Sequence, residues 1–132
     1  MSLSKPCQKR SIDCSIVARP RASLHLHEDT VALSQAKLHF IETGEANRPT
    51  LVFLHGWPLD ASSCYALMSR TSDSCRCIAV DLPGIWKSAF EASNGSKAFL
   101  AGVIHEFIET LGLSYVVLIG HDVGGMIAYA YL

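Results

Sequence analysis

Short apolar runs alternate with polar stretches along most of the chain. A short continuous apolar run that is bounded by polar or glycine-rich segments predicts a strand buried on both faces. The chain holds three such runs, at residues 51–54, 77–80 and 115–119. Ahead of them, within residues 30–43, Leu38 and Phe40 alternate with polar neighbours. That alternation predicts a half-buried strand, with residues 31–33 as its hairpin partner across a short turn.

Helical periodicity fills the intervals between the apolar runs. Residues 60–70 predict a short helix, with Asp60 as its N-cap. The clearest predicted helix has apolar residues at helical spacing, and Gly112 ends it. The apolar residues are Leu100, Val103, Ile104, Phe107, Ile108 and Leu111. A third helix begins near Val123, and the polar residues 88–96 predict a loop.

The predicted order is a hairpin, followed by strand and helix in alternation. This order predicts an α/β fold, with a mainly parallel sheet and helices on both faces. In such sheets ligands bind beyond the carboxyl ends of the strands. The loops at residues 55–58, 81–88 and 120–124 all leave such strand ends. These three loops are therefore the place to search for a functional site.

The bulk composition is that of one globular domain. The chain has 132 residues, of which 49% are hydrophobic and 17% are charged, with a net charge of −1. The chain contains no stretch of about 18 apolar residues, so no transmembrane helix is predicted. The near-neutral charge gives no reason to expect binding to nucleic acid or to an anionic membrane surface. We therefore predict a protein of the cytoplasm that binds neither.

The amino-terminal segment differs in composition from the remainder. Residues 1–27 carry Lys5, Lys9, Arg10, Arg19 and Arg21 against the single acid Asp13. We predict that residues 1–27 form a disordered basic extension and that residues 28–132 form the folded core. An organelle transit peptide is the alternative interpretation of the same basic, serine-containing segment.

Cysteine and histidine spacing gives no indication of a metal or a cofactor. The five cysteines are odd in number, and none of their spacings matches a zinc ribbon or a C-x-x-C redox pair. Cys75 and Cys77 flank one residue beside an apolar run, which is typical of small buried side chains in a reducing compartment. The six histidines likewise lack metal-ligand spacing. We predict no metal and no cofactor.

The most informative segment is Gly120-His121-Asp122-Val123-Gly124-Gly125, which follows a predicted buried strand and opens a helix. A turn of this kind presents its central side chain at the end of a sheet, as in the G-x-S-x-G nucleophile elbow. Here the central residue is a carboxylate. The positive end of the helix dipole favours the ionised, nucleophilic form of Asp122. The alternative is that Asp122 only caps the helix.

Three motifs together resemble the α/β-hydrolase fold, in its epoxide hydrolase-like branch. They are His55-Gly56-Trp57-Pro58, Asp81-Leu82-Pro83-Gly84 and the Asp122 turn, and the resemblance covers about residues 30–132. It implies that Asp122 is a nucleophile that forms an ester with the substrate. It also implies that the backbone N–H groups of Trp57 and Val123 form an oxyanion hole. The residues that would support these motifs are His55, Gly56, Pro58, Gly120, His121 and Gly124. A cis peptide is expected between Trp57 and Pro58.

Two positions bear on the reaction within this family. Haloalkane dehalogenases have a halide-binding tryptophan directly after the nucleophile, whereas Val123 offers only its backbone N–H as a donor. The resemblance therefore favours epoxide chemistry on a small electrophilic molecule, while Trp57 keeps dehalogenation open. Trp86 departs from the family, which usually has a small residue at this place, so either the loop has shifted or its packing is damaged.

The residues after Asp122 limit what the chain is expected to do alone. In α/β-hydrolases the acid and the histidine of the triad follow the nucleophile, and residues 123–132 contain no Asp, Glu or His. We therefore expect the amino-terminal half of a hydrolase core, without the cap and inactive in isolation. A non-catalytic truncated product is the alternative. The strand before Asp122 would form an exposed sheet edge, through which the chain could self-associate.

Overall fold

The computed structural model describes residues 24–91 and 94–132. Most of the predicted basic extension, residues 1–23, lies outside the described residues, together with Cys7 and Cys14. The described chain folds into six strands and three α-helices. The strands are β1 (His27–Ala32), β2 (Ala36–Thr43), β3 (Thr50–Leu54), β4 (Arg76–Val80), β5 (Ala89–Phe90) and β6 (Val116–Gly120). The helices are α1 (Tyr65–Thr71), α2 (Lys97–Thr110) and α3 (Val123–Tyr131).

The strands form one mixed sheet in the order β1-β2-β4-β3-β6, with the short β5 also paired to β2. β3 is parallel to both of its neighbours, with Leu54 opposite Val80 on β4 and opposite Gly120 on β6. β1 and β2 form the predicted antiparallel hairpin, and β2 is antiparallel to β4. The carboxyl ends of β4, β3 and β6 therefore lie side by side at one edge of the sheet. The three loops singled out from the sequence leave the sheet at this edge.

Helices cover both faces of the sheet, as the alternating pattern predicts. On one face α2 and α3 bury Ile104, Phe107 and Ile127 against the sheet, and the rings of Phe40 and Phe107 meet edge to face at 5.4 Å. On the other face α1 and the turn before it bury a smaller cluster. Its members are Ile41, Phe53, Ala61, Cys64, Met68, Cys77 and Ala79.

Two corrections to the predicted elements concern short segments. Residues 60–70 do not form one helix, because a 3₁₀ turn at Ala61–Cys64 precedes α1. Asp60 still caps this turn and accepts a hydrogen bond from the Ser62 backbone N–H at 2.8 Å. Hydrogen bonding from Ser62 holds the pKa of the Asp60 carboxyl below its ordinary value. Residues 88–96 are not wholly a loop either, because β5 pairs with the start of β2.

A third correction concerns β2, which is buried on both faces rather than half-buried. His39 and Ile41 lie inside the protein together with Leu38 and Phe40. The prediction failed because His39 was counted as a surface residue. A buried histidine is tolerated where its ring nitrogens have hydrogen-bond partners, and His39 has two, as described below.

The two outer strands of the described sheet differ in character. The outer strand β1 carries His27, Glu28 and Asp29, and charged residues discourage edge-to-edge pairing. The other outer strand, β6, is wholly apolar, and the Val117 side chain is half exposed. Self-association through β6 stays a prediction. In the part of the chain that the structure describes, no helix has the length and apolar character needed to cross a membrane.

The helix α2 offers a simple test of the fold. Its N-cap is Ser96, whose hydroxyl accepts a hydrogen bond from the Phe99 N–H at 3.1 Å. Gly112 follows the helix with φ of +62°, as its predicted closing role requires. Within the helix, Gly102 is exposed, and a Cβ added there would meet no atom within 4 Å.

Gly102→Ala should therefore stabilise the protein, by about 0.5–1 kcal/mol, because glycine is a poor helix former and nothing obstructs the methyl group. Urea unfolding measures the change. Ser96→Ala in the same helix is the opposing control and should cost about 1 kcal/mol through the lost cap. Equal stability of the two variants would contradict the assignment of α2.

Candidate active site

A strained turn carries Asp122 between β6 and α3. Its backbone has φ of +52° and ψ of −117°, a conformation that residues other than glycine rarely adopt. The next residue begins α3, and the Met126 N–H donates to the Asp122 carbonyl at 3.1 Å. The Asp122 side chain makes no cap hydrogen bond to the helix and is exposed. The alternative interpretation of Asp122 as a simple helix cap therefore has no hydrogen bond to support it.

Two glycines permit the close approach of strand and helix at this turn. A Cβ on Gly120 would lie 2.5 Å from the Gly124 carbonyl oxygen. A Cβ on Gly124 would collide with the carbonyl oxygen of Leu54, at the end of β3. Both obstacles are backbone atoms, which cannot rotate away. The close packing of β6 against α3 at this turn therefore depends on glycine at both positions.

The loop after β3 brings a hydrogen-bond donor to the carboxylate. The Trp57 backbone N–H donates to Oδ2 of Asp122 at 3.0 Å. The loop makes a tight turn in which the Leu59 N–H donates to the Gly56 carbonyl at 2.8 Å. The Trp57–Pro58 peptide bond is cis, as predicted. The indole of Trp57 is 69% exposed, so it is the backbone of this residue that faces Asp122.

Gly56 lets the loop lie directly against the Asp122 turn. A Cβ on Gly56 would lie 2.6 Å from Nδ1 of His121 and 2.9 Å from Cβ of Asp122. Any larger residue would push the two loops apart. The His121 ring is exposed and packs beside Gly56. His121 is thus a neighbour of the carboxylate along the chain, while its ring forms no hydrogen bond to a described residue.

The second predicted donor, the Val123 N–H, lies at the first position of α3. It has no hydrogen-bond partner among residues 24–91 and 94–132. An unpaired N–H is normal in the first turn of a helix. The Trp57 N–H therefore donates to the Asp122 carboxylate, and the N–H of the next residue, Val123, is unpaired among the described residues.

The His55 side chain is 2% exposed and joins two of the three loops. Its Nδ1 lies 3.0 Å from the Gly56 carbonyl oxygen, and its Nε2 accepts a hydrogen bond from the Leu82 N–H at 3.0 Å. His55 is therefore a buried connector between the loop after β3 and the loop after β4.

A buried carboxylate anchors the loop after β4. Asp81 is 1% exposed; its Oδ2 lies 2.7 Å from Nδ1 of His39, and its Oδ1 accepts from the Ala61 N–H at 2.8 Å. Ser88 closes the loop, because its hydroxyl donates to the Asp81 carbonyl at 2.6 Å and accepts from the His39 N–H at 2.9 Å. Every polar group of this arrangement has a partner, as burial demands.

The network extends from the interior to the surface through Glu28 on β1. Oε2 of Glu28 lies 3.2 Å from Nε2 of His39 and 2.7 Å from Nζ of Lys87. Hydrogen bonding to Lys87 and His39 lowers the pKa of the Glu28 carboxyl, and Glu28 raises the pKa of Lys87. The loop that contains Lys87 is therefore tied to the hairpin at the surface as well as to the interior.

Sequence reasoning missed the partnership of His39, Asp81 and Ser88. Asp81 was recognised only as part of a turn motif, and Ser88 as part of a loop. A usable signal existed, because a histidine among four apolar strand residues needs a partner and a carboxylate at the end of a neighbouring strand supplies one.

Trp86 shows how the chain accommodates its departure from the family pattern. The indole is 74% exposed and the residue has φ of +51°. The loop on either side is held by Ser88 and by a turn in which the Ile85 N–H donates to the Leu82 carbonyl. The large ring is therefore accommodated outside the core.

The described cysteines are structural in character. Cys64 and Cys77 are buried, and burial raises the pKa of both thiols. Cys75 is half-buried. Among the described residues, no group of three or more His, Cys, Asp or Glu side chains could hold a metal ion.

Comparison with known proteins agrees with this geometry. A family model described as alpha/beta hydrolase fold matches residues 49–132. The chain belongs to the alpha/beta hydrolase fold family. Within this family, epoxide hydrolase 1 of Caenorhabditis elegans is 30% identical to it over 103 residues, which are 76% of this chain and 26% of the relative. The crystal structure of an epoxide hydrolase from Vigna radiata matches this hydrolase-fold chain with a TM-score of 0.74 and 29% identity, over 80% of this chain and 35% of that one.

Not every similar hydrolase is an epoxide hydrolase. The 2-hydroxy-6-oxononadienedioate/2-hydroxy-6-oxononatrienedioate hydrolase of Paraburkholderia phymatum is 36% identical over 104 residues, which are 74% of this chain and 35% of the relative. This hydrolase-fold chain spans between about a quarter and a third of the length of these curated relatives, at 26% and 35%. The predicted resemblance to the epoxide hydrolase-like branch is confirmed, while reaction and substrate have to be argued from the site.

Proposed function

We propose that this chain carries the nucleophile and the oxyanion donors of an epoxide hydrolase-like site. Asp122 attacks a small electrophilic substrate and forms an alkyl ester with it. The observation that carries the proposal is the hydrogen bond of 3.0 Å from the Trp57 N–H to Oδ2 of Asp122.

The ester chemistry explains why a donor belongs on the carboxylate itself. One Asp122 oxygen attacks a ring carbon, the ring C–O bond breaks, and the ring oxygen keeps the electron pair and takes a proton. The other Asp122 oxygen becomes the carbonyl oxygen of the new ester. When water attacks the ester carbon, negative charge develops on that carbonyl oxygen, where the Trp57 N–H is already aimed. The unpaired Val123 N–H supplies the second donor. Cleavage of the ester then releases the diol and restores the Asp122 carboxylate.

The choice of an epoxide over an alkyl halide rests on Val123 and on the relatives. A halide leaving group needs donors that hold the departing anion, and the valine side chain has none. Two of the relatives described above are named epoxide hydrolases. Dehalogenation is the second candidate, because Trp57, which is 69% exposed beside the site, could line a site for a halide leaving group.

Trapping the ester tests the proposal. Incubation of the purified chain with styrene oxide should add one epoxide mass to the peptide that contains Asp122. The adduct should be released by hydroxylamine, which cleaves an ester but not the thioether that a cysteine would form. We expect the ester to persist without release of free diol, because no histidine among the described residues is hydrogen-bonded to Asp122 to activate water.

Asp122→Ala should abolish the hydroxylamine-sensitive adduct. Asp73→Ala removes another exposed carboxylate and is the matched control, which should leave the adduct unchanged. Equal labelling of Asp122 and Asp73 would refute a specific nucleophile. Sustained turnover that is lost in Asp122→Ala would keep the nucleophile but overturn the expectation of an inactive isolated chain.

A further inference from the structure

The buried ring of His55 holds the peptide unit whose N–H donates to the Asp122 carboxylate. We infer that His55 is a positioning residue, which orients the Gly56–Trp57 peptide so that the Trp57 N–H is directed at Asp122. The inference rests on the proposed function for its catalytic meaning. Its structural content is separate and can be tested in the free protein.

The partners of His55 determine which ring nitrogen carries the proton. The Leu82 N–H is a donor, so Nε2 of His55 must accept, at 3.0 Å. The Gly56 carbonyl is an acceptor, so Nδ1 must donate, at 3.0 Å. Only the neutral ring with its proton on Nδ1 satisfies both partners. A doubly protonated ring, or the other tautomer, would leave a buried group unpaired.

The peptide plane transmits this hydrogen bond to the active site. The Gly56 carbonyl and the Trp57 N–H belong to one peptide unit, which is planar, and in a trans unit they point in opposite directions. Only the Trp57–Pro58 bond is cis among the described residues, so the Gly56–Trp57 unit is trans. Fixing the carbonyl toward Nδ1 of His55 therefore directs the N–H toward Oδ2 of Asp122, where it is found at 3.0 Å.

The other nitrogen of the ring is anchored to the buried network. Leu82 follows Asp81, whose carboxylate is held by His39 and by the Ala61 N–H. The ring of His55 is thus supported from a loop that is held rigidly by hydrogen bonds to the interior. Through His55, that rigidity reaches the donor at the active site.

One other group holds the same carbonyl. The Leu59 N–H donates to the Gly56 oxygen at 2.8 Å, so the turn by itself restrains the peptide. A decisive experiment must therefore separate the contribution of His55 from that of the turn and from general effects on stability.

Nuclear magnetic resonance of the labelled wild-type chain provides the first measurement. The ¹⁵N shifts of the His55 ring should report the neutral tautomer with the proton on Nδ1. A scalar coupling between Nε2 and the Leu82 amide nitrogen should be visible across the hydrogen bond. A ring protonated on Nε2, or the absence of this coupling, would overturn the inference without any variant.

Two variants then isolate the donor to Gly56. His55→Asn keeps an amide donor near the place of Nδ1, whereas His55→Leu keeps the bulk and removes the donor. Both lose the acceptor for Leu82, so both share that structural cost. In each background, Asp122→Ala is added and the shift of the Trp57 amide proton is measured.

In the wild type, removing the carboxylate should move the Trp57 amide signal upfield. This response should persist in His55→Asn and be lost in His55→Leu. Loss of the Trp57 amide response in both variants would give His55 a merely structural role through Leu82. Persistence of the response in both would show that the turn alone positions the peptide. Either result overturns the inference. The ester-trapping experiment on the wild type does not depend on His55, so failure of the proposed function would be recognised separately.

Discussion

Gly124→Ala should destabilise the protein by about 3 kcal/mol or more. The added Cβ would collide with the Leu54 carbonyl oxygen and lie within 2.7 Å of the His55 carbonyl oxygen. Overpacking costs about 1–3 kcal/mol where side chains can adjust. Here the obstacles are backbone atoms at the end of β3 and just beyond it, so relief requires α3 to move away from β3. Urea unfolding followed by circular dichroism measures the loss.

Gly125→Ala is the matched control, one residue along the same helix. Its Cβ would come no nearer than 3.6 Å to the Gly120 carbonyl oxygen, an ordinary contact. The substitution should be neutral or stabilising by up to about 1 kcal/mol, because alanine favours the helix. If both alanine variants had the same stability, the close approach of α3 to the carboxyl end of β3 would be wrong.

Asp81→Ala should cost about 3–5 kcal/mol. Removal of one partner of a buried ionic arrangement leaves the other without compensation. His39, which contacts Oδ2 of Asp81 at 2.7 Å, would remain buried beside an empty site, and the Ala61 N–H would lose its acceptor. The His39 ring nitrogen and the Ala61 N–H would both be left buried without a partner, and each such loss adds to the cost. Equilibrium unfolding in urea is the measurement.

Two further variants separate the buried network from surface charge. Asp81→Asn keeps an acceptor for Ala61 and should cost less than the alanine variant. Glu45→Ala removes a partner of Arg48 from an exposed pair at 3.4 Å and should change stability by less than about 0.5 kcal/mol. A loss in Asp81→Ala no larger than that in Glu45→Ala would refute the role of the network.

The features that sequence reasoning predicted are those encoded locally. The three continuous apolar runs correspond to β3, β4 and β6, and the apolar periodicity from Leu100 onward corresponds to α2. The glycines around Asp122 indicated a tight strand-to-helix turn, and the structure has it. The expected convergence of the three loops also followed, because parallel neighbouring strands end at the same edge of the sheet.

What sequence reasoning could not supply depends on contacts between distant residues. His39 was judged by its polarity, yet it is buried because Asp81, 42 positions away, pairs with it. The strand β5 has two residues, too few for any periodic signal, and exists because Ala36 and Lys37 offer an edge. The register of His55 against Leu82 likewise arises from the side-by-side placement of β3 and β4, which no local pattern records.

The hydrogen bond from Trp57 makes the two oxygens of Asp122 inequivalent before any substrate arrives. Oδ2 is occupied by the N–H at 3.0 Å, whereas Oδ1 has no hydrogen-bond partner among the described residues. A donor withdraws electron density from the oxygen it holds, so the free Oδ1 is the better nucleophile. In the proposed reaction the two atoms have divided tasks, with Oδ1 forming the bond to carbon and Oδ2 carrying the negative charge when water later attacks the ester. When water attacks the ester carbon, the bond between that carbon and the original Oδ1 breaks and Oδ1 leaves with the diol. An oxygen isotope introduced from water would therefore enter the Asp122 carboxylate and not the diol released in that turnover.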